Sequence, residues 1–110
     1  MQTTEELKKL LYKNEKVADL APDTLKAAQE FCEGYKAFLD NGKTEREVTA
    51  YSEKLLVEAG YKPFVPGEKL EAGAKVYTIN RSKCVLAATI GTKSLEEGFH
   101  PNIAHIDSPR

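Results

Sequence analysis

Residues 61–73, YKPFVPGEKLEAG, constrain the fold more than any other stretch, because no regular element can run through them. Pro63 and Pro66 lack the backbone donor that a helix interior or a central strand requires, and Gly67 and Gly73 favour turns. On either side the apolar residues repeat with different periods. The spacing before the break is helical, and the spacing after it is that of strands, so the chain reads as α/β with helices first and strands second.

Within the helical half, Thr3 and Glu6 have the spacing of a capping box, and Leu7, Leu10 and Leu11 follow on one face of a short first helix. Pro22 fits the first turn of a second helix, where its missing N–H costs nothing. Leu25, Ala28, Phe31, Cys32, Tyr35, Phe38 and Leu39 then recur at steps of three and four until Asn41-Gly42 ends the run. Thr44 and Glu47 repeat the capping-box spacing ahead of Val48, Tyr51, Leu55, Leu56 and Ala59, and Gly60 closes a third helix. The short connection at residues 41–43 predicts an antiparallel helical hairpin. The aromatic residues at helical spacing read as packing groups, and the charges at 45–47 and 53–54 as a solvated face.

After the break, Lys75–Ile79 and Cys84–Ile90 are rich in β-branched and apolar residues and flank a turn at Asn80-Arg81-Ser82-Lys83. The second of these strands is apolar nearly throughout, which predicts that both its faces are covered. Residues 91–98 read as a polar loop, and Phe99 to Asp107 as a third strand.

Sixteen Lys and Arg against seventeen Asp and Glu leave no basic field for nucleic acid or an anionic membrane. No stretch approaches the roughly 20 apolar residues of a membrane helix. The acidic start, MQTTEE, is unlike a secretory signal, so the expected location is cytoplasmic. Cys32 and Cys84 lie in apolar surroundings without a Cys-x-x-Cys pair. They read as buried free thiols of a reducing compartment, or as one disulfide should the fold bring them together.

The chemistry gathers at His105 and Asp107. Two residues apart on a strand, their side chains project from one face while Ile106 points the other way. An imidazole beside a carboxylate that can orient it suits a metal ligand. The same pair also suits an ordinary polar strand end, and spacing alone does not separate the two. His100, at an odd offset from His105, belongs to the opposite face and reads as an exposed histidine beside Pro101. Ser108 lacks the Gly-x-Ser-x-Gly elbow of a nucleophile, and Gly91 and Gly98 lack the Gly-Lys-Ser/Thr of a phosphate loop.

Ala104-His105-Ile106-Asp107-Ser108-Pro109 resembles the Ala-His-(Thr/Ile)-Asp-Ser-Pro signature of the M18 metalloaminopeptidases, the aspartyl aminopeptidase and aminopeptidase I group. The Thr-Glu-Arg-Glu helix start, the Gly-Tyr-Lys-Pro-Phe helix end, the Val-Tyr-Thr-Ile-Asn-Arg hairpin and the Gly-Phe ahead of the signature resemble the N-terminal region of that family too. The resemblance implies the first part of a three-layer αβα zinc-exopeptidase catalytic domain. Residues 1–60 would be helical, 61–73 a connector and 74–107 strands, with the rest of that domain and an inserted β-rich domain lying downstream. It implies His105 as a ligand of one of two divalent ions, zinc or else cobalt or manganese, and Asp107 as a catalytic-centre residue supporting it. It further implies a peptide substrate cut at its N-terminal bond by a metal-activated water, and a large homo-oligomer. With the other ligands and the general base downstream, these 110 residues alone would be inactive. The rival expectation is a small non-catalytic α+β interaction module.

Overall fold

The computed structural model describes residues 4–12 and 16–107. The chain divides into two compact units, Met1–Gly34 and Tyr35–Arg110. In the first, α1 spans Thr4–Lys8, and a single 3-10 turn at Val17–Asp19 precedes α2, Pro22–Asn41, whose residues from Tyr35 onward belong to the second unit. Thr3, the expected cap of α1, lies outside the described residues. Leu7, Leu10 and Leu11 are exposed, as befits a five-residue helix with too little apolar surface to bury.

The second unit is built around α3, Glu45–Glu58. Its start is the capping box expected from the sequence. Thr44 Oγ1 accepts from the Glu47 N–H at 3.3 Å, and Glu47 Oε2 accepts from the N–H groups of Thr44 and Lys43 at 2.9 and 3.0 Å. Such a cap contributes about 1 kcal/mol. At the other end, Gly60 takes φ +85°, and its N–H donates to Val57 O while that of Tyr61 donates to Leu56 O. This left-handed closure pairs carbonyls that a straight helix end leaves bare.

Three strands follow: β1 at Lys62–Pro63, β2 at Lys75–Asn80 and β3 at Cys84–Thr89, in the order β1-β2-β3. β2 and β3 are antiparallel, with Tyr77 opposite Ala87, and β1 runs parallel to β2. The turn between β2 and β3 closes with the Lys83 N–H on Asn80 O at 3.0 Å, and holds Arg81 and Ser82 at φ 52° and 56°. The connector therefore contains a short strand, tolerated because proline can sit on a sheet edge.

Val48 and Tyr77 are the buried apolar side chains among the described residues, with Thr49 buried beside them. Polar ties join helix to sheet. Tyr77 Oη donates to Glu53 Oε1 at 2.9 Å, Lys75 Nζ to the carbonyl of Ala59 at 3.1 Å, and the hydroxyls of Tyr61 and Thr89 are 2.9 Å apart. Where α2 meets α3, Phe38 and Tyr51 pack edge to face at 5.7 Å. A Cβ on the buried Gly42 would lie 2.7 Å from Val48 Cγ2, so only glycine permits this close approach.

Helices followed by a mixed sheet agree with the α/β expectation. Three finer expectations need correction. Phe99 to Asp107 forms no strand: Pro101 lacks a donor, and no described strand offers the segment a ladder. β3 is not covered on both faces, since Leu86 is 60% exposed; its apolar sequence records a tendency to be buried, which only a second layer could satisfy. Cys32 and Cys84 are free but exposed, because the apolar stripes they belong to are themselves largely uncovered among the described residues.

Candidate functional site

His105 and Asp107 stand at the rim of a groove of about 610 Å³ in the second unit. Its floor is apolar, with Phe38 and Leu39 from the end of α2, Val48 from α3 and Val85 from β3. The close approach at Gly42 brings the α2 end against Val48, and the tight turn at Asn80–Lys83 brings the start of β3 to the same place. Ser52 and Lys83 also reach the groove. Sequence reasoning gave Ser52 no role and Lys83 only a place in a turn, since no short-range signal brings residues thirty positions apart together.

Ile106 is partly buried, while His105 and Asp107 flank it with side chains 71% and 68% exposed. His105 Nδ1 lies 2.7 Å from the main-chain oxygen of Asp107 and 3.2 Å from its Oδ1. Their proximity thus comes from a bend at Asp107 rather than from a flat strand. His100 is exposed, as expected of a residue outside the pair.

An imidazole nitrogen and a carboxylate oxygen are donors that zinc accepts, and both are open to solvent. A catalytic zinc takes about three protein ligands. No group of three or more His, Cys, Asp or Glu gathers among the described residues, so His105 and Asp107 fit part of a zinc donor set and not a whole one.

Residues 38–110 match the family model described as aminopeptidase I zinc metalloprotease (M18). The chain belongs to this M18 peptidase family. It is 39% identical over 80 residues to the "Probable M18 family aminopeptidase 1" of Borreliella burgdorferi (strain ZS7), covering 73% of this chain and 18% of that protein. The protein of the same name in Clostridium acetobutylicum is 41% identical over 80 residues, covering 69% and 17%, and that of Thermotoga maritima 32% over 82 residues, covering 74% and 18%. The chain thus spans about 18% of the length of these relatives. No solved structure matches it. Among the described residues no helix is long and apolar enough to cross a membrane.

Proposed function

We propose that this chain is the N-terminal portion of a metal-dependent aminopeptidase that hydrolyses the N-terminal bond of peptides, with His105 holding one of two zinc ions. The observation that carries the reading is an exposed His105–Asp107 pair at the rim of a groove, inside the segment that matches a zinc metalloprotease family. When bound, the metal pair supplies an activated water and polarises the peptide carbonyl. The chain's own contribution is to present one imidazole and to keep the Asp107 carboxylate beside it. The remaining ligands, the general base, the rest of the αβα domain and the inserted β-rich domain belong to the part of the protein beyond these residues. A large homo-oligomer in the cytoplasm completes the proposal, and it rests on the family resemblance.

The test is made on the longer M18 protein. His105→Ala should lose one equivalent of zinc and most hydrolysis of a peptide with a free N-terminus. Asp107→Ala should lower turnover with a smaller effect on metal content. Full metal content and turnover in His105→Ala would remove the assignment. The 110-residue chain alone should neither hydrolyse peptides nor bind zinc tightly; tight one-to-one binding would contradict an incomplete ligand set.

A further inference from the structure

We propose that Lys83 gives this protein a preference for dipeptides, by pairing with the free C-terminal carboxylate of the residue that follows the bond cut. The inference rests on the aminopeptidase reading and names a substrate class within it. The groove that has His105 and Asp107 at its rim also takes in Lys83, which among the described residues is the one lysine or arginine lining it. No carboxylate pairs with the Lys83 ammonium among those residues. A strained turn sets its place. Arg81 and Ser82 hold φ 52° and 56°, where residues with a side chain seldom lie, and the Lys83 N–H closes the turn on Asn80 O at 3.0 Å. Backbone strain of this kind gathers where a fold must place a functional side chain.

The charges and the floor of the groove together select the occupant. A dipeptide with its scissile carbonyl toward His105 brings two groups of its second residue to the groove, a side chain and a carboxylate. Phe38, Leu39, Val48 and Val85 offer the side chain an apolar floor, and Lys83 offers the carboxylate a cation. The ammonium at the other end of the dipeptide finds its counter-charge in Asp107. A volume of about 610 Å³ lies within the roughly 300–1,000 Å³ of clefts that hold small molecules. In a longer peptide the carboxylate is replaced by a neutral amide, and the pairing is lost.

The test is made on the longer M18 protein, with a panel of X-Leu dipeptides differing in the N-terminal residue X and with their C-terminal amides. For the residue X that is cleaved best, kcat/KM should favour the free acid over the amide roughly two- to fivefold, the worth of one solvent-exposed ion pair, with the difference in KM. Lys83→Met should bring that ratio to one, and Lys83→Arg should keep it. Lys93→Met, in the loop outside the groove, should also keep it, which separates a local contact from a change in net charge. A ratio that survives Lys83→Met, or equal cleavage of acid and amide by the unsubstituted protein, would overturn the proposal and leave an aminopeptidase standing. Hydrolysis of neither series would instead remove the aminopeptidase reading beneath it. X-Asp amides compared with X-Asn amides make the second arm. A Lys83-dependent preference for Asp there, without one for the free acid of X-Leu, would assign Lys83 to a side-chain carboxylate and overturn the choice of the C-terminal one.

Discussion

The packing of α3 on β2 and β3 and the segment Phe99–Asp107 are both rich in apolar residues, yet only the first is held in place. Val48 and Tyr77 are buried, and Tyr77, Lys75 and Tyr61 each make a hydrogen bond that ties distant parts of the chain. Along the second, Phe99 is 73% and Ile103 is 90% exposed, and the contact at His105 reaches only two residues on. The difference teaches that apolar composition creates a demand for burial, while partners decide whether it is met. The residues proposed to carry chemistry lie on the part whose demand is unmet.

The largest effect should separate the two regions by stability. Val48→Ala removes buried methyl groups and should cost about 2 kcal/mol in urea unfolding. Ile103→Ala, at an exposed position, should stay within about 0.5 kcal/mol. Equal costs would mean that Phe99–Asp107 is packed in solution, and the comparison would fail. Gly42→Ala probes the same core from the other side. With its Cβ 2.7 Å from Val48 Cγ2, either the helix end or Val48 must move, and the expected loss is roughly 1–2 kcal/mol. Pairing it with Val48→Ala should recover part of that loss, because the smaller side chain leaves the room required.

Next in size is a gain. Thr49, 2% exposed, has a hydroxyl with no hydrogen-bond partner among the described residues. A buried unpaired hydroxyl costs about 1–3 kcal/mol, and valine keeps its shape. Thr49→Val should therefore raise the urea midpoint by an amount equivalent to about 1 kcal/mol. No gain would show that the hydroxyl finds a partner in solution.

Much of the tied region was legible in the sequence because it depends on local chemistry. The Thr44–Glu47 box, Pro22 at the start of α2, the stop at Gly42 and the turn at Asn80–Lys83 each involve residues within four positions of one another. The short β1 was hidden because Pro63 reads as a breaker and only its parallel pairing with β2 makes it a strand. Phe99–Asp107 failed in the opposite sense, with a strand's composition and no ladder. At the site, the six-residue signature around His105 and Asp107 singled the pair out, since its spacing alone left an ordinary strand end equally open. The groove beneath it was not legible, because it joins α2, α3 and β3 through contacts that no local pattern encodes.

The smallest expected effect is one of pH, and it tests whether a single polar tie holds the packed region together. Tyr77 donates to Glu53, and that hydrogen bond, with burial and the negative charge of Glu53, raises the phenol's pKa above its ordinary value of 10.0. The folded state therefore keeps the proton at pH values where the unfolded chain gives it up. By linkage, this contribution to stability is complete below pH 10.0 and declines as pH rises from there through the raised value in the fold. Tyr77→Phe removes both the hydrogen bond and the titration, while leaving the ring between α3 and the sheet. The variant should be less stable at neutral pH, and the difference from the parent chain should shrink as the pH climbs above 10.0. A difference that stays constant with pH would mean that Glu53 and Tyr77 are not bonded in solution, and that apolar burial alone separates the packed region from the segment bearing His105.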